Sequence, residues 1–352
     1  MRKILIILLL AACLPGSQSH ITVIKNPKAN IIEKPAIPLK HVRTIPLRLA
    51  SNVFNIDPIS ATTDENGNVY LYDKFICQIR KLEGNYKLMS TIDINSAYKS
   101  WQAKNTRRPA FVQFSKENGL YVYDPVMTTL LRYDNQGNLI ERFEQVPFMD
   151  QIVVSPDGGV LIPEFIENDL VFKCLANKTV RFRINDYKHE FLFFKQEGAK
   201  SFSKEELFQV CNYYVYFENE RLLIFNQYSS RIIVIAGNGN KLLNKSLLPN
   251  EALDSYRREL SSRKKEIKDK VIPFFYNPFF DLTEQCLYVQ TRIKTNDQKW
   301  RNLLYVFSND GMLKKRMTFA GIDNQYVNFM IKNNRDFLIL VNKKIHVFKE
   351  ET

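Results

Sequence analysis

An all-β fold assembled from repeated antiparallel sheets is what this sequence predicts, and three observations carry the prediction. Aromatic residues are abundant, with 25 Phe and 17 Tyr in 352 residues, and such side chains suit strands packed on both faces. Short apolar runs alternate with turns built from Asn, Asp and Gly. Those runs recur in a fixed order with a period of about forty residues, the length of one four-stranded propeller blade.

At the start of the chain, Arg2 and Lys3 precede the apolar run Ile4 to Leu10, too short to span a bilayer as a mature helix. Leu10-Ala11-Ala12-Cys13 comes next. This segment resembles the bacterial lipobox. The resemblance implies a signal peptide over residues 1–12, diacylation of Cys13, and a lipid-anchored place in the bacterial cell envelope. Leu14 stands where inner-membrane retention would put an aspartate, which points to the outer membrane. Residues 13–40 carry Pro15, Pro27, Pro35 and Pro38 among polar residues and read as a tether.

The domain is expected over residues 41–352. "NGNVYLYDKFICQIRKLEGNYKLMSTI" (66–92) aligns with "ENGLYVYDPVMTTLLRYDNQGNLIERF" (117–143), and the same plan returns at 156–184, 219–247 and 284–319. A further strand precedes each unit: "ISATTD", "AFVQFSK", "QIVVSPD", "YYVYFEN", "FFDLTEQ" and "YVNFMIK". The last unit, 334–352, lacks its outer strand, while "HVRTIPLRL" (41–49) has none to pair with. Pairing of the latter with Lys344–Lys349 closes the ring and removes its exposed edges. The expected fold is therefore a six-bladed β-propeller of four-stranded antiparallel blades, its N-terminal strand closing the last blade, with small helical insertions.

"DENGN" (64–68), "DNQGN" (134–138), "GNGN" (237–240) and "NDG" (309–311) sit between strands and supply the positive φ angles of two-residue hairpin turns. "DENGNVYLYD" is not a calcium loop, because Phe75 stands where such a loop needs its glutamate and strands flank it.

The pattern "VYLYD…QIRKLE…GNYKLMSTI" resembles the NHL- and TolB-type six-bladed propellers of bacterial envelope lipoproteins, whose second strand ends in an acidic residue. Asp73 and Asp124 match that position and Glu164 substitutes for them, while Asn226, Gln290 and Asn342 depart from it. The departures favour an acceptor that caps a turn over a shared catalytic group.

Function is sought in the longest connections, at 94–109, 185–211, 248–277 and 291–302, all assigned to one face of the ring. "SAYKSWQAKNTRRP" and "RIKTNDQKWR" interleave aromatic and cationic residues, so Tyr98, Trp101, Arg107, Arg108, Arg292, Trp300 and Arg301 are the candidate ligand-binding residues. Both tryptophans are expected in loops rather than strands. An amphipathic helix is expected over 250–270, with Asn250 as N-cap and Leu253, Tyr256, Leu260 and Ile267 as its apolar stripe. The formal charge of +13 favours an anionic polymer, a sugar or a protein partner, besides the bilayer held through Cys13. An exported chain does not meet chromosomal DNA, so no nucleic-acid partner is expected.

GxSxG, HExxH, Walker and GxGxxG motifs are absent, the four histidines stand apart, and Cys77, Cys174, Cys211 and Cys286 follow no ligand spacing. The reading is a non-catalytic binding or scaffolding lipoprotein with no cofactor. The alternative is a calcium-dependent lactonase- or esterase-like hydrolase with Glu164, Asn226 and Asp281 around a metal in the channel.

Overall fold

A computed structural model of the chain describes residues 35–46, 58–73, 76–98, 111–115, 119–147, 151–155, 157–187, 213–218, 220–262, 275–281, 283–295, 297, 299–342 and 344–350. Four antiparallel four-stranded sheets succeed one another along the chain. The first holds β2 (Pro58–Thr63), β3 (Val69–Asp73), β4 (Gln78–Leu82) and β5 (Leu88–Asp93). The second holds β6 (Phe111–Ser115), β7 (Gly119–Asp124), β8 (Thr129–Tyr133) and β9 (Leu139–Phe143). The third runs through β10 (Val153–Val154), β11 (Val160–Ile166), β12 (Asp169–Cys174) and β13 (Val180–Ile184). The fourth runs through β14 (Tyr213–Glu218), β15 (Arg221–Asn226), β16 (Arg231–Ala236) and β17 (Lys241–Ser246).

The remainder forms one eight-stranded sheet instead of two separate four-stranded ones. Its members are β18 (Tyr276–Asp281), β19 (Cys286–Lys294), β20 (Trp300–Ser308), β21 (Leu313–Phe319), β22 (Phe329–Asn333), β23 (Asp336–Val341), β24 (Lys344–Glu350) and β1 (Ala36–Pro46). The physical reason is the length of β1. It begins at Ala36, inside the stretch expected to be tether, and Ala36–Leu39 pair in parallel with Arg316–Phe319 of β21. From Leu39 to Pro46 it pairs antiparallel with β24, as the sequence led us to expect. One strand thus joins the β18–β21 meander to the β22–β24 meander.

Second and third strands are apolar on both faces because each face meets a different neighbour. Tyr70, Tyr72 and Ile79 pack with Val122 and Leu131 of the second sheet, whose Tyr121 and Tyr123 pack with Val160 and Ile162 of the third. Leu170 and Phe172 continue to Ile224 and Ile233, and Phe225 and Val234 to Leu287 and Tyr305. Tyr288 and Val306 meet Phe337 and Ile339; finally Leu338 and Val347 meet Val69 and Leu71 of the first sheet. Each fully buried side chain of this kind contributes about 1.5–3 kcal/mol, so every inter-sheet layer is a substantial part of the total. First strands also touch: β2 lies against β6 and β22, β14 against β10 and β18, and β18 against β22.

The turn at Asp64 is not the expected two-residue hairpin. Gly67 N–H donates to Asp64 C=O and Asp64 N–H to Asn68 C=O, with Gly67 at φ +77°. This is a type I turn followed by a glycine bulge. Asp64 Oδ1 accepts from the Asn66 and Asn68 N–H groups, and Oδ2 from Asn68 Nδ2 and Tyr70 Oη. Asp134 repeats the arrangement with Gln136 and Asn138. Both carboxylates are spent on their own turns.

Candidate functional site

In each meander the link to the next unit and the turn between second and third strands lie at the same end. At that end the last residue of the second strand sets the course of the chain. Asp124, 1 % exposed, accepts at Oδ1 from the Val126 and Met127 N–H groups and at Oδ2 from Tyr98 Oη, at 3.0 Å each. Asn226 does the same for Tyr228 and Ser229 N–H at 3.0 and 2.9 Å. In both, a short side-chain acceptor closes the turn within a few residues.

Gln290 stands at that position in β19, and there the hairpin does not close. Pairing runs on without a register break through Thr291–Leu303, Arg292–Asn302, Ile293–Arg301 and Lys294–Trp300. Only then does a turn form, with Thr295 N–H donating to Lys299 C=O at 2.8 Å. The expected loop at 291–302 is therefore an arm of two paired strands. Trp300 is the first residue of β20, contrary to its expected place in a loop.

Strand alternation sorts the arm's side chains. Arg292 and Trp300 share one face as a diagonal cross-strand pair, with Arg292 Cζ 4.9 Å from the Trp300 ring centroid. The same guanidinium carbon lies 5.7 Å from the ring of Tyr326, which is 55 % exposed. Tyr276, at the start of β18, meets Tyr326 edge-on at 6.4 Å. Burial, and then the neighbouring Tyr326, push the Tyr228 hydroxyl up to about 12. Arg301 falls on the opposite face with Ile293, so the structure brings Arg292 and Trp300 together and separates Arg301 from them.

Two supports hold this cluster. A chain of amides lies beneath it: Asn277 Nδ2 donates to Gln290 Oε1 at 2.9 Å, Gln290 Nε2 to Asn302 Oδ1 at 3.0 Å, and Asn302 Nδ2 to Ile322 and Gln325 C=O. Asn342 Nδ2 joins through Gln325 Oε1 at 3.1 Å. The link carrying Tyr326 is thereby fixed to both meanders. Asn324, in the left-handed region at φ +62°, accepts from Trp300 N–H at 2.7 Å and donates its own N–H to Trp300 C=O.

The second support is α1 (Asn250–Ser262). Leu253 N–H donates to Pro249 C=O, so Pro249 holds the cap and the helix begins at Asn250, one residue earlier than expected. Ala252 and Leu253 pack with Leu303 and Tyr305. β18 pairs with β19 only as far as Gln290, which leaves the edge of the arm to the helix. Ser255 Oγ donates to Arg292 C=O and accepts from Lys294 N–H, at 3.2 and 3.0 Å, and Arg258 Nη1 donates to Lys294 C=O at 2.7 Å.

Of the other sequence-derived site residues, those that are described do not join this cluster. Trp101, Arg107 and Arg108 lie outside the described residues, as do Cys13, Cys211 and the expected helical positions beyond Ser262. Tyr98 is not a surface stacking residue: it is 2 % exposed, packs in the layer between first and second sheets, and carries Arg142 over its ring at 5.2 Å. Glu164, Asn226 and Asp281 do not assemble. Glu164 is exposed and paired with Lys173, and Asn226 is spent on its turn. Asp281 sits at the other end of its sheet, capping Thr283 and Glu284 N–H and paired with Lys332 at 2.5 Å. Cys77, Cys174 and Cys286 form no disulfide with one another, and among the described residues no group of three His, Cys, Asp or Glu could hold a metal.

Sequence reasoning missed Tyr276, Tyr326, Asn324 and Ser255. The one signal for Tyr326 was Gly321 followed by Asp323-Asn324, a turn placing an aromatic just ahead of a strand. Ser255 gave none, since a mid-helix serine reads as solvent-facing.

No family model and no curated protein matches the chain. Among solved structures it resembles a member of the DUF4221 family from Bacteroides vulgatus, with 10% identity and TM-score 0.50 over 89% of this chain and 98% of that one. It also resembles a protein from Bacteroides fragilis assigned as exported, with 9% identity and TM-score 0.51 over 87% and 86%. A virginiamycin B lyase from Staphylococcus aureus aligns at 9% identity and TM-score 0.46 over 87% and 98%, too low to bear on activity. The class that the sheets and the two Bacteroides likenesses define is an all-β, propeller-like fold.

Proposed function

We propose that this chain is a non-catalytic binding protein of the bacterial envelope, lipid-anchored through Cys13, that captures its ligand at the end where Arg292, Trp300 and Tyr326 meet. The observation that carries the reading is the arm itself, an aromatic and cationic cluster raised beyond its sheet and braced by amides and a helix. Such bracing fits recognition by a rigid surface. We read the fold as a six-bladed propeller. In support, each of the six apolar layers joins one meander to the next and the last returns to the first. The eight-stranded sheet then counts as two blades sharing β1. The exported assignment of the B. fragilis neighbour agrees with an extracytoplasmic place, and the lipobox with an anchor in the outer membrane.

The test is surface plasmon resonance of envelope polysaccharides, anionic vesicles and purified envelope proteins over the immobilised full chain. Binding that Trp300→Ala and Tyr326→Ala abolish, with melting unchanged, is the expected result. Binding indifferent to both substitutions rejects the site. For the anchor, Cys13→Ala should move the protein from the membrane to the soluble fraction.

A further inference from the structure

Two of the four histidines, far apart in sequence, meet where β1 and β24 pair. The register of that pairing breaks between His41 and Arg43, and Val42 is the extra residue. In an unbroken strand, residues three apart point to opposite faces. The bulge instead turns His41 onto the face that carries Thr44, His346 and Phe348. His41 Nε2 and His346 Nδ1 then converge on one atom, Thr44 Oγ1, at 3.1 and 3.3 Å. Beneath them lies the buried Phe348 ring, edge-on to His41 at 5.2 Å and tilted to His346 at 6.5 Å.

The spacing of the two imidazoles has a chemical meaning. Their centroids are 5.6 Å apart. Zn–N bonds of about 2.0–2.1 Å would place each centroid roughly 3 Å from a shared ion, and the two centroids roughly 5 Å from one another at a tetrahedral angle. A threonine hydroxyl has a single proton, so it donates to one ring nitrogen and accepts from the other. A metal ion would take the lone pairs of both. The surroundings bear on which ion. Glu350 and Asp336, the acidic residues of β24 and β23, are paired with Lys315 and Lys349. Imidazole ligands suit zinc, nickel and copper, whereas calcium and magnesium want oxygen. Lys344, two residues before His346 on the same face, works against any cation and keeps the site from being a tight one.

We propose that His41 and His346, with Thr44 and water completing the shell, bind a divalent transition metal across the seam between β1 and β24. An ion held this way binds only when the seam is closed, and so stabilises the closed form. The site does not depend on the ligand-binding role proposed above.

The experiment is calorimetric titration and thermal melting of the full chain in detergent, stripped with chelator, against zinc, nickel and calcium chlorides. Zinc or nickel should bind and calcium should not. Melting should rise by about 4 °C at a metal concentration a hundredfold above Kd. His41→Gln, which alters an exposed side chain, and His346→Gln should each weaken binding roughly tenfold or more and remove the rise. Electron paramagnetic resonance with copper(II) gives a reading that a loss of folding does not mimic: two ring nitrogens on the ion in the native chain, one in either variant. Binding unchanged in His41→Gln would assign the ion to another group, such as His20 or His189, and overturn the proposal. Calcium binding as strong as zinc, or no binding of zinc or nickel at millimolar concentration, overturns it as well.

Discussion

The second sheet and the β18–β21 meander share one plan until the last residue their second strands have in common. In the former that residue is Asp124, in the latter Gln290, and both are buried. Oδ1 of the aspartate reaches the backbone N–H groups two and three residues ahead and folds the chain back. One further methylene carries the glutamine amide past that reach and into contact with Asn277 and Asn302 instead. The chain then stays extended to Lys294 and returns from Trp300. The comparison teaches that a sealed turn and a projecting arm differ together in connection length, four residues between Asp124 and Thr129 against thirteen between Gln290 and Leu304, and in whether the side chain at the branch point caps the backbone or bridges its neighbours.

The strongest way to break this comparison is Asp124→Ala. It strips the partner from two backbone N–H groups and from Tyr98 Oη, and bonds to a charged acceptor are worth about 1.5–3 kcal/mol each, so a loss of roughly 3 kcal/mol is expected. Urea denaturation reads it as a lower midpoint at constant slope. A change below about 0.5 kcal/mol, the range of an ordinary surface substitution, would mean the turn closes without its cap.

Gln290→Ala should cost less, about 2 kcal/mol, because it takes the partner from the Asn302 carbonyl and leaves the Asn277 amide only its longer bond to Val327 C=O, while the strands stay paired. The same variant should lose ligand binding as the Tyr326 link loosens. Intact binding in it would detach the arm from its amide support.

Smaller again is Ser255→Ala, at about 1 kcal/mol. Its sharper signature is local: amide exchange at Lys294 should accelerate while exchange in β15 does not.

The smallest effect tests a third tip of the same kind, between β23 and β24. Burial first, then His41 and Lys344, hold the His346 imidazole below its ordinary value of 6.5. The folded state thus prefers the neutral ring. Its contribution is complete above the ordinary value and is lost as pH falls from there toward the lowered one. Melting temperature should decline over that window, and His346→Gln should flatten the decline. An unchanged slope would assign the pH dependence to other groups.

How much of this was legible in the chain depends on where each signal resides. The meanders were readable because a strand buried on both faces must be apolar throughout, as Leu222 to Phe225 are. The closing partnership with Lys344–Lys349 was readable because an unpaired edge at one end of the chain matched a missing strand at the other. The start of β1 at Ala36 was not, since Pro35 and Pro38 read as tether and the parallel pairing with β21 leaves no local pattern. Turn-capping by Asp124 and Asn226 was anticipated from residue type alone. The arm was not, because Asn-Asp-Gln at its tip looks the same in a loop and in a hairpin turn. Tyr98 and Tyr326 exchanged roles for a related reason: an aromatic beside a strand is buried or exposed according to which neighbour covers it, a property of the assembled sheets.

The pairing of β1 also has a consequence for how the molecule is made. Thr44 and His346 stand 302 residues apart yet face each other across the seam. β1 must therefore wait for the much later β24 before either is satisfied, and such distant partnerships form slowly. During that interval β1 presents an open edge to any passing chain, the hazard that folding helpers exist to cover. A nascent copy stalled short of Lys344 would leave Thr44 without its counterpart, however well its earlier sheets had formed.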